Sequence, residues 1–191
     1  MYILGTGILG EIALETSLKA GIEIHGFYDD FNKSSEFNGI PLLGKFNDFC
    51  QDRSAMAKGA YVAIGNNFKR QAYVKSLSDL DVQFPNIIDP NAILSSSMTL
   101  GNGNLILPMS YVGTKCSLGS FNLIFPGASI THHNKVGDFC FFSVNSSIGG
   151  FTTIGDCCKV GINSVILPYQ NLEAGYESQP SSVIKIDGKS I

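Results

Sequence analysis

From Ile88 onward the chain places an apolar residue at every sixth position: Ile88, Leu94, Leu100, Ile106, Val112, Leu118, Ile124, Ile130, Val136, Phe142, Ile148, Ile154, Val160, Ile166 and Leu172. A period of six fits neither a half-buried strand nor an amphipathic helix. The residue after the apolar one is glycine at Gly101, Gly113, Gly119, Gly137, Gly149, Gly155 and Gly161. Four places after it stands mostly a small side chain, such as Ala92, Ser110, Cys116, Ala128, Cys140, Ser146 and Ser164. This is the hexapeptide repeat of a left-handed parallel β-helix. Three six-residue sides make one coil of a triangular prism, so fifteen positions predict five coils. The aliphatic points inward, the small residue fits near a corner, and glycine or asparagine is expected to supply the positive-φ turns. Cys116, Cys140 and Cys158 fall in the small inward slot, where a thiol acts as a small hydrophobe.

Residues 1 to 85 follow another rule and alternate strand-like with helix-like stretches. MYIL reads as a strand, Ile8–Ala20 as a helix with Ile8, Ile12 and Leu18 on its apolar face, and IEIHGFY as a second strand. FNDFCQDR predicts a short helix, GAYVAIG a buried strand, and NNFKRQAYVKSLS a helix capped by Asn66 or Asn67. Such alternation predicts a small Rossmann-like parallel sheet. The expected organisation is an α/β domain over 1–85 followed by the β-helix over 86–191.

Composition narrows the function classes. Charged residues make up 15% and the net charge is −3, with no basic run, which disfavours nucleic acid as a partner. No apolar stretch approaches the length of a membrane span, so no membrane insertion is expected. The five cysteines show no CxxC spacing, which argues for reduced thiols, a cytoplasmic setting and no metal. Gly5, Gly7 and Gly10 form GxGxxG between a strand and a helix, and Asp29–Asp30 follow about twenty residues on. Such glycines admit a diphosphate close to a helix N-terminus, and the acid suits a nucleoside hydroxyl. With only about 85 residues in the domain and no hydride-acceptor domain after it, a nicotinamide cofactor is disfavoured.

His132 and His133 stand side by side after inward Ile130, on a turn or outer face. Several segments in order resemble one family: GTGILG at the start, GFYDD at 26–30, PLLG at 41–44, AIGNNFKR at 63–70, the hexapeptide array, and GINSVILP at 161–168. Together they resemble the bacterial sugar O-/N-acyltransferases of the NeuD/PglD type, which join a nucleotide-sugar-binding domain to a left-handed β-helix. In that family a histidine followed by an acidic residue, with a glycine further on, carries the catalytic base. The corresponding stretch here runs from His132 to Gly137. The resemblance implies His132 as base and His133 in place of the acid that orients it; Asn134 and Asp138 are other candidates for that orienting role.

The implied reaction is acetyl transfer from acetyl-CoA, as co-substrate, to a nucleotide-linked amino-deoxy sugar, expected to be a 4-amino-4,6-dideoxy sugar for surface glycans. Sugar O-acetylation of the sialic-acid type and a non-catalytic nucleotide-sugar-binding module are the alternatives. A histidine can take the proton from the attacking nitrogen and return it to sulfur. Gly149 and Gly150 are expected to offer an oxyanion donor beside the cofactor. The later coils, with Gly161 and Ile162, are expected to wall the coenzyme in a homotrimer. For the nucleotide-diphosphate sugar the resemblance points to Gly5, Gly7, Gly10, Asp29, Asp30, Asn66, Lys69 and Arg70. Phe139 and Phe141 are candidates for an interface or a sugar-facing wall. At the C-terminal end, Ser178 and Ile184 fall in phase and extend the repeat.

Overall fold

A computed structural model describes residues 1–186. The chain divides into two compact units, Met1–Ile88 and Asp89–Ile191. In the first, β1 (Tyr2–Leu4), α1 (Ile8–Lys19), β2 (Gly26–Tyr28), β3 (Glu36–Phe37), β4 (Ile40–Gly44), α2 (Phe46–Gln51), α3 (Arg53–Ala57), β5 (Ala60–Val62), α4 (Asn67–Lys75) and β6 (Ile87–Ile88) follow one another. A five-stranded sheet runs β3-β4-β2-β1-β5. Its pairs are parallel except β3–β4, an antiparallel hairpin that the strand–helix alternation did not predict. Tyr2, Leu4, Tyr28, Phe49, Val62 and Leu77 pack together as one core cluster.

Three sequence expectations change here. The second strand covers only Gly26–Tyr28. The helix over FNDFCQDR breaks at Asp52, whose side chain accepts from the Ala55 amide and caps a separate turn. Most instructive is α1, whose expected apolar face is reversed: Ile8 and Leu18 are exposed, while Leu9, Gly10, Ala13, Leu14, Thr16 and Ser17 are buried. Small residues face the sheet because the helix lies close to it. A Cβ on Gly10 would sit 2.2 Å from the Gly5 carbonyl oxygen.

The second unit is the expected prism. One face stacks β7 (Ile93–Leu94), β10 (Tyr111–Val112), β13 (Ser129–Ile130), β16 (Ser147–Ile148), β19 (Val165–Ile166) and β21 (Val183–Ile184). The next stacks β8 (Thr99–Leu100), β11 (Ser117–Leu118), β14 (Lys135–Val136), β17 (Thr153–Ile154) and β20 (Asn171–Leu172). The third carries β9 (Leu105–Ile106), β12 (Leu123–Ile124), β15 (Phe141–Phe142) and β18 (Lys159–Val160). All pairs are parallel with partners one coil apart; Ile130, for example, pairs with Val112 and Ile148. The six-residue apolar positions from Ile106 to Leu172 are buried. The register runs on: Ser178 is buried and accepts from the Gly161 amide, and Ile184 lies on β21 against β19.

The turns correct the reading of the glycines. The residue in the left-handed region is the third after the inward apolar one: Met109, Lys115, Phe121, His133, Phe139, Asn145, Phe151, Cys157, Asn163 and Tyr169, and Gly103, Gly127 and Gly175. The glycine directly after the apolar residue serves another purpose. A Cβ on Gly113 would fall 1.5 Å from the Thr131 carbonyl oxygen of the next coil. The small inward slot holds Cys116, Cys140 and Cys158 as expected, and also Asn104, Asn122 and Asn134, all buried. Phe139 is buried and stacked on Phe121 at 5.0 Å. Phe141 packs at 4.6 Å against Phe125.

Candidate functional site

Two places concentrate chemistry, one in each unit. In the first unit a cavity of about 630 Å³ is lined by Gly5, Gly7, Asp29, Asp30, Phe31 and Lys69, with Tyr28, Tyr73 and Ser76 completing the wall. Gly5 has φ +116, a conformation that favours glycine. Gly7 is the N-cap of α1 without a capping side chain, and a Cβ there would meet open space. The helix start beside the cavity is therefore uncovered, an arrangement that favours an anionic group.

The charged residues divide by what already holds them. Asp29 Oδ2 accepts from the Thr6 amide (2.7 Å) and hydroxyl (2.9 Å), and Oδ1 from the amides of Phe31 and Asn32. Burial alone would raise this carboxyl; the hydrogen bonds from Thr6, Asn32 and Phe31 outweigh it and hold it below the usual value. Asp29 thus ties the glycine turn to the loop after β2. Asp30 is exposed and accepts from the Phe46 amide at 3.0 Å. Asn66 caps α4 by accepting from the Lys69 amide. Arg70, 1% exposed, donates to the carbonyls of Ile64 and Gly65 and to Asn67 Oδ1. Its guanidinium secures the loop from beneath and does not line the cavity. The cavity therefore gathers Gly5, Gly7, Asp29, Asp30 and Lys69 from the expected set, and leaves out Gly10, Asn66 and Arg70.

Tyr28, Phe31 and Tyr73 are cavity residues that the sequence reading missed. Tyr73 follows Lys69 by one helical turn, a spacing that puts both on one face and was a usable signal. Burial first, then Asp52, pushes the Tyr28 phenol up to about 12. Burial and then Asp30 push Tyr73 up as well. Both phenols stay protonated at neutral pH and remain hydrogen-bond donors.

In the second unit His132 and His133 occupy the corner between β13 and β14. His133 takes φ +53, and its amide donates to the Thr114 carbonyl one coil back. The Nδ1 atoms of the two histidines face each other at 3.3 Å. The His133 ring stacks on Phe151 at 4.7 Å, and Phe151 stacks on Tyr169 at 5.2 Å and 1°. These aromatic rungs join residues eighteen apart, which no single six-residue repeat sets side by side.

The His132 ring lies over Gly150: a Cβ there would be 2.2 Å from Cε1. The Gly150 carbonyl accepts from Tyr169, while its N–H has no partner among the described residues. The Gly149 amide is engaged, donating to the Ile166 carbonyl. Gly161 and Ile162 sit at another corner of the prism, after β18, so the four expected cofactor residues do not converge within one chain. Neither alternative orienting residue reaches His132. Asn134 is buried inside the prism with Oδ1 accepting from Thr152, and Asp138 accepts from the Ser120 amide at the next corner. Among the described residues no cluster of His, Cys, Asp and Glu is placed to hold a metal. No helix among them is long and apolar enough to cross a membrane.

Residues 1–77 match the family model of the PglD N-terminal domain. No curated protein sequence matches the chain. Among solved structures, a mutant of perosamine N-acetyltransferase from Caulobacter crescentus in complex with CoA and GDP-perosamine superposes with a TM-score of 0.92 at 22% identity, covering 97% of this chain and 88% of that one. The acetyltransferase domain of PglB from Neisseria gonorrhoeae gives 0.90 at 24% identity, covering 97% and 91%. The same domain in complex with acetyl coenzyme A gives 0.89 at 23%, covering 96% and 89%. The chain thus shares the fold of these proteins: a domain that matches the PglD N-terminal model over residues 1–77, followed by a left-handed parallel β-helix.

Proposed function

We propose that this protein transfers the acetyl group of acetyl-CoA to the amine of a nucleotide-linked amino-deoxy sugar, with His132 as general base. The observation that carries the reading is the His132 imidazole lying over Gly150, whose amide has no partner among the described residues. A base and an oxyanion donor side by side are what direct acyl transfer needs. His132 Nε2 takes the proton from the attacking nitrogen, the Gly150 N–H stabilises the tetrahedral oxyanion, and the proton passes to the departing thiolate. Proteins of this fold are known with CoA and GDP-perosamine and with acetyl coenzyme A, which supports the two substrates.

The nucleotide belongs in the first-unit cavity, with its diphosphate toward Gly7 and Lys69 and its base between Phe31 and the two tyrosines. Gly161 and Ile162, at another corner, fit a coenzyme groove formed against a second copy. A homotrimer in the cytoplasm is consistent with this. O-acetylation of a sugar hydroxyl is the second reading: it uses the same base and donor, and is separated by offering amino and hydroxy forms of one sugar.

The test is thiol release from acetyl-CoA with UDP-, GDP- and dTDP-linked 4-amino-4,6-dideoxy sugars. One nucleotide class should turn over. His132→Ala should keep the fold and lower kcat by at least about 10². Gly150→Ala, which crowds the ring, should do the same with little change in Tm. Full activity in His132→Ala would remove the base.

A further inference from the structure

The corner raises a question about protons that the reading of His132 as base leaves open: what decides which of its nitrogens is bare. Two Nδ1 atoms face each other at 3.3 Å with the rings at 85°. Two lone pairs would repel across that gap and two N–H groups would clash, so it holds one proton. His133 has little freedom to turn away. Its backbone is held by the bond to Thr114, and its ring forms one rung of the stack with Phe151 and Tyr169. No carboxylate competes for the role, since corner residues 95–97, 113–115, 131–133, 149–151 and 167–169 include neither Asp nor Glu.

We infer that His132 and His133 form a one-proton dyad in which His133, fixed by the aromatic stack, is the positioning residue that directs the basic lone pair of His132. The inference rests on the proposed role of His132. In the neutral dyad one proton lies between the Nδ1 atoms and one remains, on the Nε2 of either ring. When it is on His133, His132 Nε2 is bare and takes the amine proton as the substrate N–H bond breaks. Both Nε2 atoms then carry protons, the bridging proton is retained, and a single positive charge is shared over two rings. Delivery of the His132 Nε2 proton to the thiolate restores the starting state. The other titratable groups around the corner are Lys115 in the preceding coil, Lys135 on β14 and Tyr169 two coils on.

His133→Phe tests this while keeping the aromatic rung; Phe121 and Phe139 already occupy the same turn position, each with φ 58. It should leave Tm nearly unchanged, lower kcat about tenfold, and move the acid limb of the rate profile to lower pH. His133→Asp, a residue that tolerates a left-handed backbone, supplies a permanent acceptor. It should raise kcat and move the acid limb to higher pH. Nitrogen-15 spectra of the imidazoles, taken without substrate, should show one protonated and one bare Nδ1 in the native protein, and loss of that bridge in His133→Phe. Two bare Nδ1 atoms in the native protein would overturn the dyad. So would an unchanged kcat and acid limb in His133→Phe when His132→Ala is inactive. Full activity in His132→Ala would instead remove the base reading, and the spectra would still decide the shared proton.

Discussion

The two units hold their polar side chains by different geometries: at loops and helix starts in the α/β unit, and from one coil to the next in the prism. In the α/β unit the residues that a motif reading singles out are largely engaged in holding their own loops. Asp29 accepts from Thr6, Phe31 and Asn32, Asn66 caps α4, and Arg70 secures the carbonyls of Ile64 and Gly65. In the prism the inward positions and the glycines between coils carry the packing of the interior, while corner side chains either stack between coils, as Phe121 and Phe139 do, or stay exposed, as His132 does. The cavity is left to Lys69, the tyrosines and the backbone of Gly5 and Gly7.

The largest effect should come from the seam of the prism. Gly113→Ala puts a methyl group 1.5 Å from the Thr131 carbonyl oxygen, a backbone atom that cannot swing aside, and should cost about 4 kcal/mol or more. Gly7→Ala meets open space and should shift the urea midpoint little. Equal midpoints for the two variants would break the contrast.

Next comes the pair of neighbouring cations on α4. Arg70→Met removes donors to two carbonyls and should lower stability by about 3 kcal/mol, measured by urea melts. Lys69→Ala should leave the melt unchanged and weaken nucleotide-sugar binding, measured by calorimetry. A stable Arg70→Met protein with weakened binding would return Arg70 to the ligand.

The smallest effect concerns acid. Asp29 is held below its ordinary value, so its contribution to stability is complete above about 3.9 and is lost as pH falls through the lower folded value. Asp29→Asn should be less stable at pH 7, and the gap to the native protein should close in melts at the acid end. A gap independent of pH would mean that the carboxylate charge is not what matters.

The prism was legible because one period, repeated from Ile88 to Leu172, outweighs any local ambiguity. The face of α1 was not. Ile8 and Leu18 suggested a greasy stripe, but the helix packs close through Gly10, Ala13 and Ser17, and small size left no hydrophobic signal. The corner position of His132 and His133 was legible from the six-residue register, while a role for His132 came only from the family resemblance. Phe151 and Tyr169 were not, because their relation to His133 exists only once the chain has wound a full coil. The anchoring of Asp29 and Arg70 escaped for a similar reason: much of it involves backbone atoms, whose positions no residue letter encodes.

The eighteen-residue register makes the length of this unit change in quanta. Inserting one residue between Ile154 and Val160 would turn every later inward side chain out of phase. Inserting a complete coil at the same place would leave every inward position in phase and the rungs His133 and Phe151 untouched. It would lengthen only the distal end of the prism. Wherever such proteins differ in length within the prism, whole multiples of eighteen should be the tolerated increments, and the contact between His133 and Phe151 should persist however many were added.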